Sequence, residues 1–567
     1  MNKKFVSVVA SILCGVLVGG MFTGCGREQI GGDVDATKTQ LAVGYYNGGL
    51  RDKWINNVIE DFEEEYADYP FESGKKGVQV QITPDKGFLG ASLADKLANM
   101  QYEIIFTEDV TYYDFIAKGA MYDITDIVQS KASDKENKTI EEKMLWGTRD
   151  FFNVGTDEKP QYYALPGASC TMNFNYNIDL FEKKGFFFKK GASADDLTLK
   201  QIENNNLQDL FAGKYDEKSV GSDGIPDTDD DGLPVTFKDF YALLMQMKTS
   251  GVVPMIWSGA AIFYVIDLVN EIWANFEGAD QMLLNYSWDG TAKGLIEVDG
   301  EGNITRIGDT VINADNAYKL HLQEGKLRAL QFLETIINMN DGNCLYKDCF
   351  NGTLTHTEAQ KRFIKGGYDG YQEIGILVDG TWWMPEGKDN FGTTENKYGE
   401  RKFGILPNPR YSTDYAGADH KEVKTIINYS TVFINGNIKQ EKVEVASAFM
   451  KYLHNEKSLN TFTAYTDCVR SFEYELSPES LDTMSYYGRY NWRLMTGEHT
   501  QVINCYPSTP QAVKNTSMLF PRSWSFASTT YGSNPATAIH DYHVTAIDLF
   551  NDIYNDYAST WSKKVVK

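Results

Sequence analysis

At 567 residues the chain exceeds what one ordinary hydrophobic core encloses, so two to four domains or lobes are expected. A composition of 42% hydrophobic, 23% charged and 13% aromatic residues excludes a disordered or collagen-like chain. Lys and Arg number 54 against 78 Asp and Glu, and a formal charge of −24 repels phosphate backbones and argues against a nucleic-acid partner.

Lys3 and Lys4 precede an apolar run from Phe5 to Phe22, followed by Thr23, Gly24 and Cys25, the order of an export signal over residues 1–24. Small residues before a cysteine match the bacterial lipobox, in which the sulfur takes up a diacylglycerol and the preceding peptide bond is cut, so Cys25 is the expected lipid-bearing N-terminus. Phe22 stands where that pattern usually has Leu, Val or Ile, and an uncleaved membrane anchor is the alternative. Residues 25–40, with Gly26, Gly31 and Gly32, read as a flexible tether. The remaining cysteines, Cys170, Cys344, Cys349, Cys468 and Cys505, are odd in number and read as buried small hydrophobes, with Cys344 and Cys349 as the one plausible local bridge.

Leu41 to Tyr46 has strand character, and Trp54, Ile55, Val58, Ile59 and Phe62 recur at helical spacing. Val78, Val80 and Ile82 alternate as a second strand, Leu89, Leu93, Leu97 and Met100 form a helix face, and Glu103 to Phe106 is a third strand. This β-α-β-α-β order predicts an α/β lobe whose ligands lie beyond the carboxyl ends of its strands. A helix near Tyr112 to Lys118 follows, and strands over Tyr163 to Pro166 and Thr171 to Tyr176 mark a crossing into a second lobe. The polar stretch Lys189 to Asp231 reads as an insertion outside the core. Helices are predicted over Phe237 to Met247, Phe263 to Trp273, Lys326 to Met339 and Val443 to Leu453, and strands over Ile374 to Val378, Lys402 to Leu406 and Thr425 to Ile434. A Tyr-rich helix from about Thr537 to Trp561 ends the chain. The expected division is residues 41–165 and 425–480 in lobe 1, and 166–424 and 481–567 in lobe 2, with the insertion at 189–235.

The lipobox, the opening Tyr45 to Phe62, Thr107-Glu108-Asp109, Tyr163-Leu165-Pro166 with Asn175 to Phe181, Asp379-Gly380-Thr381-Trp382 and Gly404 to Pro407 together resemble the extracellular solute-binding proteins of bacterial carbohydrate ABC importers, the maltose-binding-protein-like group. The likeness runs from about Leu41 to the C-terminus and rests on the order and spacing of these segments. It implies a type II periplasmic-binding-protein-like α/β fold, two interleaved lobes with hinge crossings and a ligand cleft between them. It further implies a lipid-anchored monomer on the outer face of the cytoplasmic membrane that delivers a carbohydrate, an oligosaccharide above all, to permease subunits. The chain is longer than the simplest members, chiefly at Lys189 to Asp231 and Asp299 to Asn316, so cleft edges do not carry over.

A sugar site needs aromatic platforms for the ring face and polar side chains for the hydroxyls. By resemblance Trp382 is the second-lobe platform, with Trp383 next to it, Trp257 a further aromatic, and Glu108 and Asp109 the acidic contacts from the first lobe. Tyr45, Tyr46 and Asn47 follow the first strand, and Trp524 and Arg470 complete the candidates. Each Trp has core packing as its alternative, and Glu108 and Asp109 equally suit the start of a helix.

Asp227, Asp229, Asp231 and Gly232 match positions one, three, five and six of a calcium loop, with the Leu233 carbonyl at position seven. Position twelve is Lys238 where a bidentate Glu belongs, although Asp239 is one step on. A structural calcium and a solvated acidic turn capped by Thr236 are the two readings, and no other cofactor is implied. A secreted glycoside hydrolase would share a Trp-lined cleft with paired carboxylates, but the sequence has no H-E-x-x-H, G-x-S-x-G or P-loop motif; a carbohydrate-binding surface adhesin would share the lipid anchor.

Overall fold

The computed structural model describes residues 34–90, 92–108, 111–213, 216–392, 396–415, 421–427, 430–519 and 521–566. Residues 1–33, and with them the export signal and Cys25, lie outside the described residues, as does Asp109. Among the described residues, no helix is long and apolar enough to cross a membrane.

Two hydrophobic cores organise the chain. The first surrounds a five-stranded sheet in the order Val78–Pro84, Thr39–Tyr45, Ile104–Thr107, Thr431–Ile434, Leu165–Pro166. Its first three strands run parallel, and Thr431–Ile434 enters antiparallel, opposite Ile104 to Thr107. The predicted β-α-β-α-β order is present, with helices Lys53–Glu65 and the short Leu93–Leu97 between the strands. The apolar stripe of Lys53–Glu65 is buried as its spacing requires: Trp54 meets Phe462 edge to face at 5.0 Å, and Phe62 packs against Phe449.

The second core surrounds a four-stranded mixed sheet, Phe403–Leu406, Met172–Asn177, Ile374–Gly380, Val253–Ile256. Helices Phe237–Thr249, Tyr264–Glu277 and Glu324–Asn338 cover it. Thr236 caps the first of these, accepting from the Asp239 N–H while the Asp239 carboxylate accepts from the Thr236 N–H. The insertion is less superficial than its polarity suggests, because Ile202, Leu207 and Phe211 reach into this core.

Two predicted elements divide in the structure. Thr425 to Ile434 is not one strand: Glu422–Ile426 pairs parallel with Thr500–Asn504, whereas Thr431–Ile434 belongs to the first sheet. The C-terminal helix is two, Pro535–Tyr542 and Ala546–Lys564, broken where His543 turns left-handed at φ 55 and Thr545 caps the second.

The chain passes between the cores near residues 167–171 and 467–485, and residues 427 and 430, which lie on either side of a further passage, are hydrogen-bonded to the first of these. The Gly167 N–H donates to the Ser430 carbonyl at 2.9 Å, the Ile427 N–H to Cys170 at 3.0 Å, and the Ser169 N–H to Val469 at 2.9 Å. Backbone segments joined by a few hydrogen bonds thus connect the two cores, an arrangement compatible with hinge bending.

Candidate functional site

A cleft of about 600 Å³ lies between the two cores. The first lobe contributes the ends of its parallel strands: Tyr45 to Gly49 after Thr39–Tyr45, Asp85, Lys86 and Leu89 after Val78–Pro84, and Glu108 after Ile104–Thr107. The second lobe contributes Phe263 and Tyr264 at the start of helix Tyr264–Glu277, Thr355 and His356 at the start of His356–Ile364, and Trp382 and Glu386 after Ile374–Gly380. The first lobe therefore presents strand ends, and the second a strand end and helix N-termini, to the same space, as open α/β sheets do.

Trp382 is half-buried, packs against both cores and meets Tyr264 edge to face at 5.7 Å. Its indole lies back over its own strand because Gly380 has no side chain: a Cβ there would stand 2.1 to 2.5 Å from three atoms of the six-membered ring. One helical turn further on, the Glu386 carboxylate accepts from Gln360 Nε2 at 2.7 Å and lies 3.4 Å from His356 Nε2. Gln360 Nε2 also donates to buried Asp379 at 3.0 Å. Burial, with the Glu386 charge close by, pushes the Asp379 carboxyl up to about 8. The hydrogen bond to Glu386 holds the His356 imidazole above its ordinary value. Arg522, over the Phe263 ring at 4.4 Å, is clamped by Asp267 through bonds of 2.8 and 3.1 Å. Aromatic edges thus alternate with groups that donate, accept or do both.

Of the residues singled out in the sequence, the structure gathers Tyr45, Tyr46, Asn47, Glu108 and Trp382 at this cleft. Tyr45 is there mainly as framework, since its hydroxyl accepts from Trp54 Nε1 at 2.8 Å and donates to the Arg51 carbonyl at 3.0 Å. The Asn47 side chain shapes its own turn, its Oδ1 accepting from the Gly49 N–H. Four others are buried elsewhere. Trp383 points away from its neighbour into the second core, against Phe363, Phe403 and Tyr487. Trp257 donates to the Cys349 carbonyl at 3.0 Å, and Trp524 to Asn285 Oδ1 at 3.0 Å. Arg470 spends its guanidinium on the Leu453 and Pro166 carbonyls and on His454 Nε2, tying a passage between the lobes to the first core. Tyr264, His356, Glu386, Lys86 and Arg522 were not anticipated. Glu386 alone had a local signal, lying four residues after Trp382 on one helical face.

The aspartates of the candidate calcium loop have partners within the protein. Asp229 is clamped by Arg493 at 2.6 and 2.9 Å, Asp231 accepts from the Asp227 N–H, and Asp239 takes the Ala194 N–H besides its capping bond. The Leu233 side chain packs into the second core. Among the described residues no three His, Cys, Asp or Glu side chains are grouped to hold a metal ion. Cys170, Cys344, Cys349, Cys468 and Cys505 are all buried thiols. A larger cavity, about 890 Å³, opens at the far end of helix Tyr264–Glu277, but second-lobe residues alone line it and it lacks the two-sided character of the cleft.

No protein-family model and no curated protein sequence matches the chain. Solved structures do. A protein from a study of xylan utilisation by Caldanaerobius polysaccharolyticus superposes with a TM-score of 0.53 at 11% identity, over 91% of this chain and 99% of the other. The ligand-free RafE of Streptococcus pneumoniae gives 0.51 at 12% identity over 93% and 99%. An ABC substrate-binding protein of Listeria monocytogenes in complex with cycloalternan gives 0.51 at 11% identity over 93% and 99%. The chain therefore shares the fold of these three proteins over nearly its whole length.

Proposed function

We propose that this protein is the capture component of a carbohydrate ABC importer, holding an oligosaccharide between its lobes and handing it to membrane permease subunits. One observation carries the reading: Trp382 and Tyr264, flanked by Glu386, His356 and Glu108, converge from two lobes on a cavity of about 600 Å³, within the size range of small-molecule sites. Neighbours in fold support the ligand class, since RafE is known in complex with raffinose and the Listeria protein with cycloalternan. The lipid anchor at Cys25 and the extracellular face belong to the same proposal and rest on the sequence.

The test is a thermal-shift screen against raffinose, maltotriose, xylotriose and larger glycans, in which a sugar at a hundred times its Kd stabilises the native state by about 2.7 kcal/mol. Trp382→Ala should then weaken binding roughly tenfold to a thousandfold, a loss of about 1.4 to 4 kcal/mol, with little loss of folding stability. Hydrolysis of any of these sugars would instead make the protein a glycosidase, and the absence of any glycan-induced shift would sink the carbohydrate reading.

A further inference from the structure

The turn after the first strand does more than line the cleft. Asn47 to Arg51 crosses to the second lobe and lies against the segment Trp382 to Asp389. Arg51, outside the cavity lining, spends its whole guanidinium there: Nε donates to the Pro385 carbonyl at 2.7 Å, Nη2 to the Glu386 carbonyl at 3.2 Å, and Nη1 and Nη2 to the two Asp389 carboxylate oxygens at 3.3 and 2.9 Å. All three acceptors lie more than 330 residues away in sequence, in the other lobe.

The same turn is shaped for close approach. Gly48 and Gly49 are left-handed, at φ 53 and 86, and a Cβ on Gly49 would stand 3.2 Å from Trp382 Cδ1 and 3.3 Å from the Glu386 carboxyl group. Arg51 itself is left-handed at φ 58, a conformation that costs a non-glycine residue energy and persists where surrounding contacts enforce it. Those contacts are visible: its carbonyl accepts from Tyr45 Oη, which is bonded in turn to Trp54 Nε1 in the first core. The base of the arginine is thus bolted to one lobe while its fork grips the other.

We infer that Arg51 is a closure latch, a positioning residue that sets affinity by holding the lobes together without touching the solute. The inference rests on the capture reading above. An exposed ion pair alone would contribute little, and the Asp389 carboxylate is largely solvent-exposed. The two carbonyl bonds are what distinguish this fork, because a planar guanidinium reaches carbonyls and carboxylate at once and an ammonium does not. Affinity scales with the fraction of molecules in the binding-competent closed form, so weakening the latch lowers apparent affinity through that fraction.

The experiment compares wild type with Arg51→Ala, Arg51→Lys and Asp389→Asn, using Lys365→Ala as the control that removes an ion pair confined to the second lobe. Small-angle scattering of the sugar-free proteins should give a larger radius of gyration for Arg51→Ala and Arg51→Lys than for wild type and Lys365→Ala. Calorimetry and stopped flow with the best sugar of the raffinose, maltotriose and xylotriose set should show affinity reduced roughly threefold to thirtyfold in Arg51→Ala, mostly as faster dissociation, and less in Asp389→Asn. Melting temperatures verify that each variant is folded, and Arg51→Lys keeps the charge should Arg51→Ala fold poorly. Scattering unchanged in both Arg51 variants overturns the latch, as does unchanged dissociation. If no sugar binds even the wild type, the carbohydrate reading fails while the scattering still decides the latch.

Discussion

Gly380→Ala inserts one methyl group at the point where the platform of the cleft is held. The new Cβ would lie 2.1, 2.2 and 2.5 Å from Cζ3, Cη2 and Cε3 of Trp382, whereas carbon atoms rest about 3.5 Å apart or more, so something must move by roughly 1 to 1.5 Å. The strand is the stiffer partner. Gly380 is in register with Met172, its N–H donates to Asp379 Oδ1 at 2.8 Å, and the next N–H, of Thr381, donates to the Thr171 carbonyl at 3.1 Å. The indole is half-buried with the cleft beside it, so it is the part that swings. Sugar affinity should fall about tenfold to a hundredfold, or roughly 1.4 to 2.8 kcal/mol, while the denaturation midpoint changes much less than the ~1 to 3 kcal/mol typical of overpacking a closed core. Calorimetry on Gly380→Ala, Trp382→Ala and the double variant isolates the coupling: in the Trp382→Ala background the added methyl should cost no further affinity. Wild-type affinity in Gly380→Ala, or an equal loss with and without the indole, would show that Trp382 is not the surface on which the sugar rests.

Asp379 makes stability pH-dependent in a direction opposite to most carboxylates: its folded value is raised to about 8, so between about 4 and 8 the native state retains a proton that the unfolded chain has released. Its contribution to stability is therefore full below about pH 4 and declines as pH rises toward 8, and Asp379→Asn should flatten that part of the denaturation profile; an unaltered profile refutes the assignment. Lys326 is buried with its Nζ 2.6 Å from His321 Nδ1, and burial holds its amine well below the ordinary lysine value. The unfolded chain gains a proton there below about pH 10, so Lys326→Met should be more favourable to stability at neutral pH than above pH 10.5, as read from urea denaturation at the two pH values. Because Asp229 is held by Arg493 and Asp239 by a helix cap, EDTA should leave the melting temperature unchanged, while Arg493→Ala should lower it; a calcium-dependent rise would mean that the carboxylates regroup around the ion.

The first lobe was legible because its β-α-β-α-β unit is contiguous, so periodicity and right-handed crossover suffice to order it. The segment 425–434 was not, since an apolar run reads as one strand whether or not the chain changes sheets within it. What divides it is pairing with distant backbone, Ser430 with Gly167 and Ile427 with Cys170, and nothing local announces those partners. The cleft divides in the same way. Tyr45, Tyr46, Asn47, Glu108 and Trp382 sit at strand ends, where topology alone directs side chains toward the space between the lobes. Trp257 follows a strand of the same sheet, yet Cys349 and Phe350 close over it, so the rule identifies positions that can face a ligand and later chain decides which do. His356 and Arg522 reach the cleft from helices whose register depends on the packed second lobe, and the aspartates at 227, 229 and 231 had the spacing of a metal loop until an arginine 264 residues further along took one of them. A spacing argument fixes which groups can converge locally. Whether they do depends on competition from partners that only the folded chain brings near, and in this protein Arg493 and Cys349 are such partners.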